Sequence, residues 1–555
     1  MPNEKELLEE VKFLKEEIKK IKPKKYGLLW ETKDEDVVLQ CKEELPVLIE
    51  DDKKEIKTDK SKPVNILIEG DNYHALSVLN YTHQGKIDVV YIDPPYNTGA
   101  KDWKYNNHFV DNLDTYRHSK WISMMNSRIR LAKKLLQNTG IFICAVDHYE
   151  LFNLGLLCDE IFGEENRLGV ITVVHKPEGR QFANFFSPSN EFMLVYAKNK
   201  NLAKFQDVVL SEGKLEEFNE EDEKGKFKLQ NFIRLTDGKY SLRKNKPAGF
   251  YPIYVSSDLM KFSLEKKANY EEALPITNKG IERVWKTFGD TFMEKVEDGV
   301  IVAKRENGKL VLYEKLRPSQ VLTTHWIDKK YHGYHYGTKL LEEILGEKVF
   351  DFPKSLYLLI DILKITTNEK AIILDFFAGS GTTGHAVLEL NKADGGNRQV
   401  ILCTNNENKI AENVCYPRMK KVIDGYSSNK GLGGNLKYYK TDFVDAEPTD
   451  INKKKLVDKS TEMLCLKDDC FNEIKRTKTY SIFTNNWGKN LGIIYDDAGI
   501  APFKKEVEKI NKKFIVYVFS LDESAREEEF EDIKKLVELK PIPAVILNVY
   551  KRIFK

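Results

Sequence analysis

The feature that most constrains this chain is its alternation of short apolar runs, turn residues and helix-length amphipathic segments. The alternation occupies residues 64–199, stops, and resumes over residues 352–403. Apolar runs of strand length, each followed by a helical segment, are typical of parallel strands that are buried on both faces. We therefore predict an α/β fold with a doubly wound sheet whose strands come from two separate stretches of the chain.

The individual elements follow from the same pattern. Gly70-Asp71-Asn72 is a strong turn and helix-start signal directly after an apolar run. In the sheet domain, strands are predicted at residues 64–68, 87–92, 140–146, 170–176, 191–199, 371–376 and 399–403, and helices at 115–138, 355–366 and 382–391. Two further strands are predicted near the carboxyl terminus, at residues 514–519 and 544–549.

The chain has 555 residues, which is too long for one hydrophobic core, so two or three domains are expected. The middle of the chain loses the α/β alternation and becomes rich in short charged and aromatic segments, which indicates an inserted recognition region. The predicted division is an N-terminal helix over 1–24, the first half of the sheet domain over 25–199, the recognition region over 200–350, the second half over 351–442 and a small C-terminal α/β domain over 443–555.

The amino terminus carries apolar residues at alternating spacings of four and three, which is the a/d repeat of a coiled coil. These residues are Leu7, Val11, Leu14, Ile18 and Ile21. Pro23 ends the pattern. We predict a helix that either docks on the body of the chain or contributes to a dimer.

Composition excludes several classes of protein. No apolar run approaches the ~18 residues of a membrane span, and the charged start lacks the apolar core of a secretory signal, so we expect a cytoplasmic protein without a membrane partner. The seven cysteines are odd in number and scattered, which argues against a disulfide framework. Neither they nor the histidines show metal-ligand spacing, so no metal is predicted.

A glycine-rich turn indicates a nucleotide-like cofactor. Gly379, Gly381 and Gly384 form G-x-G-x-x-G between a predicted strand and a predicted helix, where glycine lets the backbone approach a ligand closely. Dinucleotides and adenosyl ligands both meet such a turn. An acidic residue after the next strand usually holds the ribose, and Glu407 is roughly placed for that role. Asn405 and Asn406 are the alternatives.

The sequence Asp93-Pro94-Pro95-Tyr96, which follows the strand 87–92, decides between these ligands. Hydride transfer has no use for it, whereas methylation of an exocyclic amine does. The Asp93 carboxylate and the Pro94 carbonyl would each accept a hydrogen bond from one N–H group of the amine, which would localise the lone pair on the nitrogen. Tyr96 offers a flat face for a base that is extruded from the duplex. Alone, this turn could also be an ordinary end of a strand.

With these residues in place, the chain resembles the amino-methylating DNA methyltransferases. The D-P-P-Y turn precedes the glycine turn, which is the circularly permuted order of the β-class. The resemblance covers most of residues 64–442 and includes the segments EGDNYHAL, DVVYIDPPYNTG, EFMLVYAKN, FPKSLYLLIDIL, LDFFAGSGTTGHAV and GNLKYYKTDF. Within that class the chain looks like the modification subunit of a type III restriction–modification system.

The resemblance implies S-adenosyl-L-methionine as the cofactor and assigns residues to it. The expected contacts are Asp375, Phe376, Phe377, Ala378, Gly379, Ser380, Gly381 and Thr382. Lys354 would border the same pocket, Asp71 would lie near the cofactor adenine, and Asn97 and Thr98 near its methionine end. The class usually has proline at the positions of Phe376 and Ser355, and both departures are compatible with the turns.

The resemblance also implies a target and partners. The expected activity is methylation of adenine N6 in double-stranded DNA, by a homodimer that lends its specificity to a helicase–endonuclease subunit. N4 of cytosine, a solitary or type II enzyme, and a recognition module for a partner nuclease remain alternatives. Net charge is only +2, so DNA contacts must be sought locally. The candidates are Arg234, Arg243, Lys244, Lys246 and Tyr251, unless this segment is a solvated loop.

Overall fold

The computed structural model describes residues 28–33, 35–106, 108–179, 185–208, 216–236, 238–317, 322–521 and 524–554, together with residue 11. It divides into a large unit, Met1–Gln206 with Thr323–Lys555, and a small unit, Asp207–Leu322. The predicted N-terminal helix lies outside the described residues, apart from Val11.

The large unit is built on an eleven-stranded sheet. In chain order its strands are β1 (Glu44–Glu50), β2 (Ile56–Lys57), β3 (Val64–Glu69), β4 (Ile87–Ile92), β5 (Leu136–Val146), β6 (Arg167–Val174), β7 (Asn190–Ala197), β8 (His325–Trp326), β9 (Ile372–Asp375), β10 (Gln399–Thr404) and β11 (Asn435–Asp445). Across the sheet they run β1-β11-β3-β10-β9-β4-β5-β7-β6-β8, and β2 pairs with β11. All seven strands predicted for this domain are confirmed.

The middle of the sheet, from β11 through β3, β10, β9 and β4 to β5, is parallel, whereas β1 and β7 pair with its two sides in antiparallel fashion. The chain passes from β3 to β4 to β5 in one direction and from β9 to β10 to β11 in the other. Because parallel crossovers are right-handed, these two series place their helices on opposite faces of the sheet. The prediction of a doubly wound sheet is therefore confirmed.

Helices cover the sheet and continue into the tail. Those of the large unit, within the described residues, are Asp36–Glu43, Asn72–Thr82, Arg117–Leu135, Leu151–Phe162, Leu340–Leu345, Leu356–Thr366, Thr382–Asp394, Tyr416–Asp424, Asp450–Asp458, Thr461–Asp468, Ile500–Ile510 and Ala544–Ile553. The three predicted helices are confirmed. A π-helical segment, Tyr334–Lys339, precedes Leu340–Leu345, and an antiparallel hairpin joins Ala100–Tyr105 to His108–Asp111.

The reversal of winding between β4 and β9 positions the site. The two strands are neighbours, with Ile373 beside Val89 and Leu374 beside Val90, although about 280 residues separate them in sequence. All four of these side chains are fully buried. In open α/β sheets, ligands bind at the carboxyl ends of the strands where the winding reverses.

The small unit has its own core and its own sheets. A four-stranded sheet runs Glu220–Asp222, Gly225–Asn231, Lys309–Leu316 and Ile301–Glu306, and a three-stranded sheet runs Phe262–Ser263, Ile253–Ser256 and Tyr270–Ala273. One helix, Gly289–Glu297, belongs to the unit as described. Phe232 stacks on Trp285 with ring centroids 5.6 Å apart and packs against Phe292, which closes a core separate from that of the large unit.

The tail forms a second sheet of the large unit. Its strands are Asn472–Arg476, Tyr480–Thr484, Asn490–Ile494, Phe514–Phe519 and Val537–Ile542. The strand predicted at 514–519 is confirmed. Leu464 and Ile546 of the tail share one hydrophobic cluster with Leu76 and Leu79, which lie on the helix between β3 and β4. The tail is therefore packed on the sheet domain.

The strand predicted over residues 544–549 is wrong, because these residues begin the helix Ala544–Ile553. The last strand of the tail sheet is Val537–Ile542. Ile546 and Tyr550 are both buried, and their spacing of four places them on one face of the helix. A short apolar run does not distinguish a buried strand from a buried helix.

In the described part of the chain, no helix is long and apolar enough to cross a membrane.

Candidate active site

The turn Asp93-Pro94-Pro95-Tyr96, which we call the catalytic turn after its predicted role, directly follows β4 at the carboxyl edge of the sheet. The indole nitrogen of Trp121 donates a hydrogen bond of 2.7 Å to the carbonyl of Pro95, which fixes the turn to the helix Arg117–Leu135. The Tyr96 hydroxyl lies 2.8 Å from Oδ1 of Asp93. The structure therefore brings the two predicted catalytic side chains into direct contact.

Two further side chains complete this cluster, which we call the polar tetrad: Asp93, Tyr96, Glu191 and Lys354. The Lys354 ammonium lies 2.5 Å from Oε2 of Glu191 and 3.2 Å from Oδ1 of Asp93. It also donates to the Tyr96 hydroxyl, which lies 3.0 Å from Oε2 of Glu191. A phenol has one proton, so Tyr96 can donate to only one of its two carboxylates at a time.

The tetrad has a definite charge arrangement. Burial raises the pKa of Asp93, Glu191 raises it further, and Lys354 partly offsets both. Burial alone would raise the pKa of Glu191 as well, but Lys354 and His175 outweigh it and lower that pKa. The pKa of Lys354 is raised by Asp93 and Glu191 against the opposing effect of burial. Glu191 and Lys354 form a close ion pair, and Asp93 is the second carboxylate beside the same ammonium.

Sequence reasoning missed Glu191 and placed Lys354 only at the border of the cofactor pocket. Glu191 is 3% exposed and is the one charged residue of β7. A single acid within an otherwise apolar strand was the available signal, because an isolated buried charge is costly without a partner. Lys354 precedes the helix Leu356–Thr366, and its ammonium joins the catalytic turn. Its contact with the cofactor stays a prediction.

The glycine turn follows β9 and begins the helix Thr382–Asp394. Gly379 and Gly381 have φ of +48° and +77°, the left-handed region that favours glycine. A Cβ on Gly381 would lie 3.1 Å from Sγ of Cys415, so the turn has little room for side chains there. The amide of Ala378 donates to the carbonyl of Cys403, which ties the turn to β10. This geometry suits close approach of a ligand to the backbone.

Asp375 at the end of β9 is held by neutral groups. Its carboxylate accepts from Thr383 Oγ1 at 2.5 Å and from the amide of Phe377 at 3.0 Å. Burial raises the pKa of Asp375 to about 7, more than these hydrogen bonds lower it. No ion pair to Asp375 occurs in the part of the chain that the structure describes. The predicted cofactor contacts of Asp375 and Phe377 stay predictions.

Arg418 was also missed by sequence reasoning, and it lies under the glycine turn. This fully buried guanidinium donates to Thr382 Oγ1 at 2.7 Å and to Ser380 Oγ at 3.1 Å. Burial lowers the pKa of Arg418 to about 10. Ser380 and Thr382, both predicted to contact the cofactor, thus direct their hydroxyls to Arg418. What remains available to a ligand at these positions is the backbone.

Asp71, predicted near the cofactor adenine, has a clear structural role. Its Oδ1 caps the helix Asn72–Thr82 by accepting from the amide of Tyr73 at 2.7 Å, and it lies 3.3 Å from Nη2 of Arg128. Asn72 donates to the carbonyl of Phe376 at 3.0 Å. The end of β3 is thereby fixed to the glycine turn. A cofactor contact of Asp71 or Phe376 stays a prediction.

Asn97 and Thr98 follow the catalytic turn. The Asn97 side chain is fully buried, donates to Glu150 and accepts from Trp103 Nε1 at 3.1 Å. Asn97 also has φ of +56°, so its amide holds a strained backbone in place. Since that amide is engaged on both sides, a contact of Asn97 with the cofactor would have to come from its backbone. Thr98 is partly buried.

The predicted ribose acid, Glu407, lies three residues beyond β10 and is 32% exposed. It forms an ion pair with Lys104 of the hairpin that follows the catalytic turn. Asn405 and Asn406 stay alternatives for the sugar contact; Oδ1 of Asn406 accepts from the amide of Glu412 at 3.2 Å.

In the small unit, two of the predicted DNA contacts, Arg243 and Lys246, lie beside aromatic rings. Arg243 is exposed, pairs with Glu282 at 2.8 Å and stacks over Phe250 at 4.1 Å from the ring centroid. Lys246 lies 4.6 Å from the ring centroid of Phe288. These cations therefore lie beside aromatic rings, Arg243 at the start of one short helical turn and Lys246 between that turn and the next.

The remaining candidates differ in exposure. Lys244 is exposed on the same surface. Arg234 is partly buried, and its amide donates to the carbonyl of Val284. The hydroxyl of Tyr251 donates to the carbonyl of Thr287 at 2.9 Å, and the ring packs against the core of the unit. Tyr251 is therefore part of the interior. DNA contact by any of these residues stays a prediction.

Comparison with known proteins gives a consistent result. The profile of the family described as DNA methylase (N6_N4_Mtase) matches residues 87–413, which contain both the catalytic turn and the glycine turn. The type II methyltransferase M.KpnI from Klebsiella pneumoniae is 32% identical over 366 residues, covering 64% of this chain and 84% of that protein. The type III restriction-modification enzyme EcoPI Mod subunit from Escherichia phage P1 is 29% identical over 417 residues, 69% of this chain.

The chain spans 64% of the length of the EcoPI Mod subunit. Among solved structures, the cytosine-N4-specific PvuII DNA methyltransferase is 10% identical with a TM-score of 0.34, covering 64% of this chain and 87% of that one. The family match and the two relatives confirm the resemblance that the motifs indicated.

Proposed function

The chain belongs to the DNA methylase family, and on that premise we propose that it transfers a methyl group from S-adenosylmethionine to N6 of adenine in double-stranded DNA. The observation that carries this proposal is the adjacency of β4 and β9. It places the catalytic turn and the glycine turn side by side at the reversal of winding, although they are far apart in sequence.

The residues present fit the cofactor. The left-handed glycines at 379 and 381 carry no Cβ, so the backbone is open to a ligand at these two positions, and Arg418 binds the hydroxyls of Ser380 and Thr382. Asp375, Gly379 and Gly381 would hold the adenosyl part. When bound, S-adenosylmethionine supplies a methyl group attached to a positively charged sulfur, and the sulfur is the leaving group. The rival ligand of such a turn, a nicotinamide dinucleotide, would leave the catalytic turn without a role.

The catalytic turn provides the acceptors that amine methylation requires. The Asp93 carboxylate accepts one N–H of the target amine and the Pro94 carbonyl accepts the other, which localises the lone pair on nitrogen. With the cofactor bound, the nitrogen would attack the methyl carbon as the carbon–sulfur bond breaks, and one N–H proton would pass to the Asp93 carboxylate. No covalent enzyme intermediate is needed.

Tyr96 serves a separate purpose. An enzyme that reacts with a base inside a duplex must extrude it, and an aromatic face stabilises the extruded base by about 1–3 kcal/mol. Tyr96→Phe should therefore keep the stacking face and most of the DNA affinity, whereas Tyr96→Ala should lose it. Fluorescence of 2-aminopurine at the target position would measure extrusion directly. Equal loss in both variants would assign the effect to the hydroxyl and not to stacking.

Adenine is proposed over cytosine from the resemblance to type III modification subunits. Both amines meet the same acceptors, so the geometry does not choose between them. Digestion of methylated DNA to nucleosides identifies the product. N4-methylcytosine in place of N6-methyladenine would reverse the assignment and leave the methyl-transfer mechanism intact.

We further propose that the enzyme is the modification subunit of a type III restriction–modification system. Similarity to the EcoPI Mod subunit supports this, while the 84% coverage of M.KpnI supports a type II or solitary enzyme as the second candidate. A pull-down with a helicase–endonuclease subunit, followed by a DNA cleavage assay, separates the two. Methylation without capture of such a subunit would favour the second candidate.

We propose that sequence recognition lies in the region predicted at 200–350, of which the small unit forms residues 207–322, and that its phosphate contacts are Arg234, Arg243, Lys244 and Lys246. Lys244→Ala and Lys246→Ala should weaken DNA binding uniformly across sequences and reduce its salt dependence. Single-molecule sequencing of DNA from a host that expresses the protein would give the recognised site. Methylation of host DNA without any sequence preference would contradict a recognition role for the small unit.

We propose a homodimer as the active assembly. Light scattering of the full chain measures this directly. Removing the tail is unsuitable as a test, because Leu464, Ile546 and Tyr550 of the tail belong to the same hydrophobic cluster as the sheet domain. A monomer with full activity would contradict the proposal.

A further inference from the structure

The charged pair Glu191–Lys354 has no assigned task in the reaction described above. Glu191 lies near the start of β7, which is antiparallel to β5, and β5 pairs with β4. The amino end of β7 therefore reaches the carboxyl edge of the sheet, where Asp93 lies. Burying a carboxylate and an ammonium there costs several kcal/mol unless they are paired well.

Lys354 is held firmly in its position. The hydroxyl of Ser355, the next residue, donates to the carbonyl of Lys330 at 2.7 Å. On the other side, Gly337 of the π-helical segment packs so closely that a Cβ there would lie 2.2 Å from the carbonyl oxygen of Pro353. The side chain of Lys354 is 13% exposed. Its ammonium is therefore a fixed charge placed between two carboxylates.

We propose that Glu191 and Lys354 are positioning residues for methyl transfer. Glu191 holds the Lys354 ammonium so that it partly balances the negative charge of Asp93 without forming an exclusive salt bridge with Asp93. This inference rests on the proposed methyl transfer. The distances fit it, since Lys354 lies closer to Glu191, at 2.5 Å, than to Asp93, at 3.2 Å. Asp93 thereby keeps lone pairs for the N–H of the target amine.

The proposal gives Asp93 a defined part in the proton balance. As the nitrogen–methyl bond forms and the carbon–sulfur bond breaks, the nitrogen becomes positively charged. One of its protons passes to the Asp93 carboxylate and then to water, which the 26% exposed side chain of Asp93 can reach. An Asp93 in an exclusive salt bridge would be a weaker acceptor for that proton.

Several charged and titratable groups face Asp93, and their effects have opposite signs. Glu191 raises the pKa of Asp93 in addition to burial, and Lys354 lowers it. The groups around Asp93 and its partners are Tyr91 on β4, Tyr96 on the turn, Cys144 on β5, His175 beside Glu191, Glu191 on β7, Lys354, and Asp375 on β9. Removing the charge of Glu191 should therefore lower the pKa of Asp93, and removing the charge of Lys354 should raise it.

The test is the pH dependence of the single-turnover methylation rate, between about pH 5 and pH 9, with enzyme and S-adenosylmethionine in excess over a DNA duplex. In the acid limb of this profile, the rate falls as Asp93 becomes protonated. Glu191→Gln should move the acid limb to lower pH by on the order of one unit, and Lys354→Met should move it to higher pH by a similar amount. Both variants should lose about tenfold or more in rate. Shifts in the same direction, or none, would overturn the proposal.

Further variants guard against a merely structural effect. Glu191→Gln with Lys354→Met removes both charges together and should return the acid limb close to that of the wild type. A double variant that behaves like Lys354→Met alone would contradict the proposal. Lys348→Met is the matched control, because Lys348 forms an exposed ion pair with Asp351 at 2.7 Å in the segment that precedes Lys354. It should leave the acid limb unmoved.

Failure of this inference is distinguishable from failure of the proposed function. A wild-type protein that methylates no DNA would refute the methyl transfer itself. A wild-type protein that methylates DNA, whose Asp93→Asn variant is inactive while Glu191→Gln and Lys354→Met leave the acid limb in place, would refute only the positioning role.

Discussion

The two turns at the ends of β4 and β9 use their residues in opposite ways. At the catalytic turn, the side chains of Asp93 and Tyr96 face one another and gather Glu191 and Lys354 around them. At the glycine turn, the polar side chains are withdrawn, and Arg418 binds them from beneath.

This difference corresponds to two tasks. Activating an amine requires specific acceptors at fixed places, which only side chains and one carbonyl can provide. Holding a cofactor that lies along the turn requires close backbone approach, which side chains would obstruct. The same contrast appears in the two strand-end acids, because Asp93 has a cationic neighbour and Asp375 is bound by neutral donors.

Deleting one side chain from each turn should have the most unequal effects on the methylation rate. Asp93→Ala should lower the methylation rate by about a thousandfold, because the acceptor acts mainly in the transition state. Its affinity for the cofactor should change by less than about threefold. Ser380→Ala is the matched deletion at the glycine turn and should retain most of the rate. Radiolabelled methyl transfer and calorimetry measure both; comparable rate losses would contradict the division.

The second prediction concerns the strand-end acids. The pKa of Asp375 is raised to about 7 by burial, well above the ~3.9 of an unfolded chain, so the folded state favours the protonated form. Stability is therefore lost as the pH rises from about 4 through about 7. Asp375→Asn removes the titrating group: its amide oxygen can still accept from the amide of Phe377, and its NH2 can donate to the Thr383 hydroxyl in place of the bond that Thr383 donates now.

Urea unfolding at two pH values checks this prediction. The stability gained by Asp375→Asn should be larger near pH 8 than near pH 5 by about 2 to 3 kcal/mol. A gain that is independent of pH would show that Asp375 is ionised in the folded protein across this range.

The third prediction tests the support beneath the glycine turn. Arg418→Met removes the donors to Ser380 and Thr382, so the turn should lose its fixed conformation. S-adenosylmethionine should bind about tenfold more weakly, a cost of ~1.4 kcal/mol, with the rate at saturating cofactor little changed. Arg418→Lys retains one donor and should have a smaller effect. Unchanged affinity accompanied by a reduced rate would assign Arg418 to chemistry instead of binding.

The smallest expected effect concerns the ion pair between Lys104 and Glu407. Both side chains are 32% exposed, and surface pairs contribute only about 0–1 kcal/mol to stability. Lys104→Ala should leave the melting temperature unchanged and tighten cofactor binding by at most about threefold, because Glu407 would no longer be shared. Glu407→Gln should weaken binding. Weaker binding in Lys104→Ala would give that lysine a role of its own.

The parts of this architecture that were predictable from sequence are those written in local patterns. The strands, the helix start at Asp71, the catalytic turn and the glycine turn each occupy a few consecutive residues with a strong preference for one conformation. The run at 544–549 is equally local, but its pattern is compatible with both strand and helix, and the structure has a helix there in which Ile546 and Tyr550 are buried.

The remaining features depend on distant parts of the chain meeting in space. Glu191 and Lys354 are 163 residues apart, and their contact requires β7 to join the sheet beside β5. Arg418 reaches Ser380 across 38 residues, through a helix whose sequence carries no signal for that contact. Side-chain partners of this kind follow from topology, and no single stretch of sequence specifies them.

The most direct test of the central claim is to incubate the protein with double-stranded DNA and S-adenosylmethionine whose methyl group is deuterated, and to analyse the digested nucleosides by mass spectrometry. Deuterated N6-methyladenine is expected from the wild type, and about a thousandfold less of it from Asp93→Ala in the same incubation time, although that variant still binds the cofactor. Methylated adenine from Asp93→Ala at the wild-type level would contradict this expectation.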